Sequence, residues 1–238
     1  MPLSLRIEVG LLALLSLVLV TAPWLDLPWG VLTHLEAWAA VSFAWSVWLL
    51  ARNHPAGWFV GLFGVSLYGL LFWQVKLYGE VGLQAFYFLT SLQAIWLWRH
   101  AQEPLVRDAS TPSERPVGRI PPSWIALSAV VGVLAFVALR WFLLERAGAS
   151  PTWDALTTVL SVLAHLYLMG RFVESWYLWI AVDTIYVPLY ASRELYVTAG
   201  LYAVFWLLAL RGLLHFRRLY REGGVPLARD PGSEAIAA

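Results

Sequence analysis

Residues 170–190 read GRFVESWYLWIAVDTIYVPLY, and the aspartate in the middle decides how the stretch is understood. Its neighbours are aromatic and aliphatic, suited to lipid or to a dry core. Trp176, Trp179, Asp183 and Tyr186 stand at i, i+3, i+7 and i+10, a spacing that sets all four on one face of a helix. Holding a carboxylate at mid-membrane costs about 2.5–3.5 kcal/mol on insertion scales. Something must offset that cost: a partner cation, a hydrogen-bond network, a watery cavity or a bound cationic ligand. No Lys or Arg lies in the middle of any apolar segment of the chain, which favours a cavity or a ligand. Two indole rings near the acid add flat, electron-rich walls, each cation–π contact contributing about 0.5–2 kcal/mol.

The rest of the chain fits that setting. Of its 238 residues 60% are hydrophobic and 13% charged, whereas a soluble domain carries about twice that charged fraction. Too few polar side chains remain to coat a water-facing surface, so the chain reads as an all-α, polytopic membrane protein lodged in a lipid bilayer. Apolar segments of spanning length fall at 3–22, 34–51, 57–75, 80–98, 122–144, 153–169, 175–191 and 196–215, forming a single transmembrane domain. The segment 99–121 is the one long polar loop, and 216–238 reads as a flexible tail. The first segment has the look of a signal peptide, but Pro23 follows the prospective cleavage site at Thr21–Ala22, so it reads as a retained additional helix. With both termini cytoplasmic, twelve of the sixteen Lys and Arg residues lie inside and four outside, a clear positive-inside bias.

An internal repeat sets the architecture. Shifted by 118 positions without a gap, Trp58 falls on Trp176, Tyr68 on Tyr186, Tyr78 on Tyr196, Gly82 on Gly200 and Arg99 on Arg217. Between 58–100 and 176–218, 11 of 43 positions are identical, where this composition gives about four by chance. Three spans (34–98) therefore recur as three spans (153–215), joined by one helix, 122–144. The odd linker gives both halves the same direction across the bilayer, a transporter plan in which the substrate site lies near the midplane between repeats.

Other residues are candidates of lesser weight. Gln84, Tyr87 and Ser91 form a second stripe at i, i+3 and i+7, able to hydrogen-bond an uncharged ligand portion such as a sugar or a neighbouring helix. Glu36 and Asp154 open the first span of each half and read as helix N-terminal acids. His165, deep in its span, reads as a packing or hydrogen-bonding residue. Arg171 and Glu174 flank a tight turn and are expected to pair there.

Much chemistry is excluded. The net charge of +1 argues for no nucleic-acid partner. The absence of Cys removes disulfides, thiolate nucleophiles and Cys-based zinc sites. The single lysine, Lys76, rules out a Schiff base on a late helix. GxxxxGK[ST], HExxH and GxSxG are all missing, so no enzyme, metal site or cofactor is expected.

These residues resemble the PnuC-type vitamin transporters, typified by nicotinamide riboside carriers. GRFVESWYLWIAVDTIYVPLY is similar to the family signature K/R-x-x-E-N-W-x-x-W-x-x-x-N, with Trp176 and Trp179 as its tryptophans. FWQVKLYGEVGLQAFYF (72–88) resembles a second motif that includes Gln74 and Gln84, and WDALTTVLSVLAHLYLMGR (153–171) matches in position with Asp154. The resemblance covers about 36–100 and 152–218. It implies a SWEET-like 3+1+3 parallel repeat with an additional N-terminal helix, a homotrimer, and a place in the cell (inner) membrane. It also implies facilitated diffusion of an unphosphorylated vitamin for NAD biosynthesis, retained by a cytosolic kinase. Two departures stand out: Asp183 and Ser91 replace asparagines of the pattern. A carboxylate at 183 suits the pyridinium of nicotinamide riboside. It equally suits the thiazolium of thiamine, the alternative ligand, and fits neutral riboflavin less well. The substrate-binding set expected on these grounds is Trp176, Trp179, Asp183, Gln84, Tyr87, Ser91 and Tyr186.

Overall fold

A computed structural model of the chain describes residues 3–24, 33–74, 78–100, 117–145, 151–192 and 196–222. Among them the chain forms eight α-helices: α1 (Leu3–Thr21), α2 (His34–Ala51), α3 (Ala56–Gln74), α4 (Tyr78–His100), α5 (Pro122–Glu145), α6 (Pro151–Met169), α7 (Glu174–Ala191) and α8 (Tyr196–Glu222). The polar breaks mark the boundaries because each supplies what a helix end needs. Thr33 caps α2 and Glu36 reaches back to the Thr33 N–H, a reciprocal capping box. Glu36 is thus the helix N-terminal acid expected of it, and Asp154 lies in the first turn of α6. One boundary differs: the expected tail from 216 is helical to Glu222. Phe216 and Leu219 continue the buried stripe of α8, and Arg218 pairs with Glu222 one turn on at 2.7 Å. The tail beyond Glu222 and most of the polar loop lie outside the described residues.

Helix neighbours define the architecture. α2 packs on α3, α3 on α4, α4 on α6, α6 on α7, α7 on α8, and α8 returns to α2. The six helices close a ring in which α3 stands opposite α7. α5 leans on α6 from outside and α1 on α2. Close approach of α2 and α3 depends on a glycine stripe: Cβ atoms added at Gly57 and Gly61 would fall 2.5 Å from Leu50 and 2.8 Å from Ser46 Oγ.

Four helical stretches are long and apolar enough to cross a bilayer by composition alone: Leu5–Trp24, Ala56–Gln74, Pro122–Leu144 and Thr198–Glu222. The other four helices, α2, α4, α6 and α7, hold the buried polar side chains Ser42, Ser46, Ser91, Thr157, Ser161, His165, Ser175 and Asp183. These groups lower the helices' apolarity because they turn toward protein rather than lipid. α5 is the converse case, with Leu127, Val133, Leu134 and Trp141 all more than 60% exposed, a surface that only lipid or another protein covers at low cost.

α1 is fastened to this ring. Leu19 packs with Ala40 and Val41 of α2, and Trp45 donates to Ser16 Oγ at 2.9 Å. Glu8 accepts from Trp48 Nε1 at 3.0 Å and from Arg52 at 2.7 Å, and meets Arg211 of α8 at 2.5 Å. One carboxylate in the outer helix therefore spans the seam between α2 and α8.

Candidate functional site

The turn that launches α7 is built with care. Arg171 sits at φ 56°, in the left-handed region that a bulky residue avoids. It is held there by its own contacts: Nη2 donates to Trp98 O at 3.2 Å and the guanidinium lies over the Trp98 ring at 4.3 Å. The chain at 117–120 runs alongside, with Gly118 accepting from Val173 N and donating to Arg171 O. Glu174 accepts from Ile120 N at 3.2 Å and faces Arg119 at 3.7 Å. The expected Arg171–Glu174 pair is therefore replaced: each residue takes a partner from a distant segment, and the backbone strain at 171 points the arginine away from its neighbour.

From this turn α7 climbs along the ring with its predicted face intact but at graded depth. Trp176 is fully enclosed, packed edge-on to Phe216 (5.3 Å, 72°). It also rests on Gly212, where an added Cβ would fall 2.6 Å from the indole; only glycine permits that approach. Its counterpart 118 positions earlier, Trp58, packs edge-on to Trp98 (5.6 Å, 83°), and Trp98 is itself the counterpart of Phe216. All four join the core cluster that fills this end of the ring. Trp179 is half-buried at the border of that cluster.

Asp183 follows about 10 Å further along the axis than Trp176. It is 4% exposed, and among the described residues no ion pair or hydrogen bond reaches its carboxylate. One turn higher the ring is filled by phenols. Tyr186 meets Tyr202 at 4.7 Å and Tyr190 at 5.4 Å, and Tyr190 stacks on Tyr202 at 5.1 Å. Tyr202 lies within electrostatic reach of Asp183 and also of Tyr68, so the group spans from α7 and α8 to the opposite helix α3. Tyr68 stacks on Phe72 at 5.7 Å; their counterparts Tyr186 and Tyr190 also meet, with rings tilted by 32°.

The second predicted stripe lies on α4. Ser91 is buried, and Tyr87 packs its ring 4.8 Å from His165 of α6. Gln84 has a buried Oε1 with no donor. His165 is the hydrogen-bonding residue expected, 2.9 Å from Thr90 Oγ1. The two stripes thus sit on ring helices separated by α6; on α4 Tyr87 turns to His165 of α6 and Gln84 to Gly69 of α3, while the α7 face turns to α8. Among the described residues no group of three or more His, Asp or Glu stands close enough to hold a metal ion. Sequence reasoning omitted Tyr68, Tyr190 and Tyr202 from the site. The 118-residue register offered the first, since Tyr68 aligns with Tyr186, and helical spacing from Tyr186 offered the second.

A ring of helices carrying its polar groups inward and its apolar faces outward defines a multi-pass membrane protein. The family model described as nicotinamide mononucleotide transporter matches residues 33–218, and the chain belongs to that family. It is 24% identical over 238 residues to the nicotinamide riboside transporter PnuC of Escherichia coli (strain K12), covering 89% of this chain and 91% of that protein. The nicotinamide riboside transporter PnuC of Shigella flexneri matches equally. Among solved structures, the crystal structure of the vitamin B3 transporter PnuC superposes with a TM-score of 0.68 at 24% identity, covering 90% of each chain.

Proposed function

We propose that the protein mediates facilitated diffusion of nicotinamide riboside into the cytoplasm, where phosphorylation by a cytosolic kinase retains it. The observation that carries this reading is Asp183: a buried carboxylate without a described cationic partner, on a helix face with Trp176 and Trp179 before it and phenols after it. In this reading Trp179 bounds the aromatic ring, Trp176 joins it once the tryptophan end opens and frees it from Phe216 and Gly212, Asp183 faces the positive charge, Tyr186 closes the site from above, and Gln84, Tyr87 and Ser91 meet polar groups. The acid also argues against a phosphorylated ligand, because a mononucleotide brings negative charge that Asp183 repels and that needs a cation to receive it. The protein acts as a carrier and not an enzyme, in the cell (inner) membrane, with both termini cytoplasmic.

The transport cycle we infer uses α2–α4 and α6–α8 as parallel repeats in a SWEET-like plan, with α5 as linker and α1 as addition. The paired ring geometries at Trp58–Trp98 and Trp176–Phe216, and at Tyr68–Phe72 and Tyr186–Tyr190, support equivalence of the two triplets. So does the exchange of contacts, α2 with α8 and α4 with α6. Rocking of the triplets would open the tryptophan end and the tyrosine end in turn. The exposed apolar face of α5 suits the packing of a homotrimer.

Titration of purified protein with nicotinamide riboside, thiamine and riboflavin tests the ligand. The expected order is nicotinamide riboside tightest, thiamine weaker, riboflavin without binding. Tighter binding of thiamine would reassign the substrate within the same site, and tight binding of neutral riboflavin would remove the charge argument altogether.

A further inference from the structure

The end of α8 carries charge that the reading above does not use. α8 runs for 27 residues, about 40 Å, whereas the hydrocarbon core of a bilayer is about 30 Å thick. The apolar stretch 196–215 accounts for the core, so the last two turns extend into the headgroup layer. There Arg217, Arg218, Arg221 and Glu222, with Leu214, line a hollow of about 330 Å³.

Three cations share that hollow with one acid. Arg218 Nε lies 2.7 Å from Glu222 Oε1, and among the described residues no carboxylate pairs with Arg217 or Arg221. Those two stand at i and i+4, where like charges repel each other. An anion is the partner that offsets this.

The rest of the face selects the kind of anion. Leu207, Leu214, Arg218 and Arg221 stand at i, i+7, i+11 and i+14, one stripe of the helix. Leu207 and Leu214 are 57% and 59% exposed, and Arg211, which lies between them, is already paired with Glu8. The stripe is thus open and apolar at hydrocarbon depth and cationic at headgroup depth. A free phosphate or an acidic peptide would meet the arginines and leave the leucines bare. An anionic phospholipid meets both, with an acyl chain along the leucines and its phosphate in the hollow, where guanidinium groups match phosphate oxygens two by two. We propose that the end of α8 is a seat for an anionic phospholipid, in which Arg217 and Arg221 bind the phosphate. The seat is on the outer face of α8, so the inference does not depend on the ligand read at Asp183.

The test is lipid retention by the purified full-length protein, read by native mass spectrometry from an equimolar mixture of phosphatidylglycerol and phosphatidylcholine with matched chains. Wild type is expected to retain phosphatidylglycerol about fivefold or more over phosphatidylcholine, the scale of one arginine at an anionic surface. Arg217→Gln with Arg221→Gln is expected to abolish that preference. Arg217→Lys with Arg221→Lys keeps the charge without the paired contacts and is expected to retain part of it; a loss as complete as in the glutamine pair would show that charge is not what binds, and would overturn the proposal. Arg6→Gln with Arg99→Gln removes the same charge from outside the hollow and is expected to leave the preference intact. Equal loss in both glutamine pairs would mean a diffuse field rather than a seat and would overturn it. Wild type retaining the two lipids equally, or a preference that survives Arg217→Gln with Arg221→Gln, also overturns it. Displacement of phosphatidylglycerol by inorganic phosphate would make the hollow a free-anion site and remove the lipid from the account.

Discussion

At the scale of single residues the account turns on how Asp183 is kept where it is. A carboxylate this deep persists only with an offset, and the described neighbours supply phenols and indoles rather than a cation. Replacing it with alanine is expected to lower uptake of the cationic vitamin by tenfold or more, with expression unchanged. Asparagine keeps the shape and loses the charge, so Asp183→Asn is expected to fall between the two. Initial uptake rates into proteoliposomes, normalised to reconstituted protein, read this directly; alanine transporting like wild type would remove Asp183 from the mechanism. The residue scale is also where the sequence was least sufficient. The face shared by Trp176, Trp179, Asp183 and Tyr186 follows from spacing alone. The depth of each residue on that face does not, because the enclosure of Trp176 depends on Gly212 and Phe216, more than thirty positions away. Arg171 and Glu174 went to other partners for the same reason: Trp98 and Arg119 reach the turn only through tertiary folding.

Among the elements, α1 is the informative one. It lies outside the two helix triplets α2–α4 and α6–α8, yet Glu8 ties it to both α2 and α8. The side chain of Glu8 is 11% exposed, while Arg52 and Arg211 are 35% and 54% exposed. The arginines can therefore recover solvation when the acid is lost, and the full penalty of breaking a buried pair does not apply. Glu8→Gln is expected to destabilise the protein by about 1–2 kcal/mol, seen as a thermal midpoint a few degrees lower in detergent. A midpoint equal to wild type would mean that apolar contacts of α1 with α2 hold the helix without the ion pair. Helix boundaries were legible because proline, glycine and charge punctuate the apolar runs. The end of α8 was not, because Arg217 and Arg218 resemble the start of a polar tail, whereas Phe216 and Leu219 keep that turn packed.

For the whole molecule, the 118-residue register was readable in sequence, but closure of six helices into one ring was not. The register gives the order within a triplet and says nothing of which helix meets which across the seam. With the ring in view, the distribution of polarity makes sense. The helices that fall short of lipid-like apolarity are those with buried polar groups, and one end of the ring is filled by tryptophans and the other by tyrosines. In the proposed cycle such a carrier needs no fuel, only two closures that open alternately. Counterflow tests that claim most directly. Proteoliposomes preloaded with unlabelled nicotinamide riboside and diluted into a trace of labelled vitamin, without nucleotide or ion gradients, are expected to show a transient accumulation of label that empty-lipid vesicles lack. Saturable binding with no entry of label would contradict the account and leave a receptor in place of a carrier.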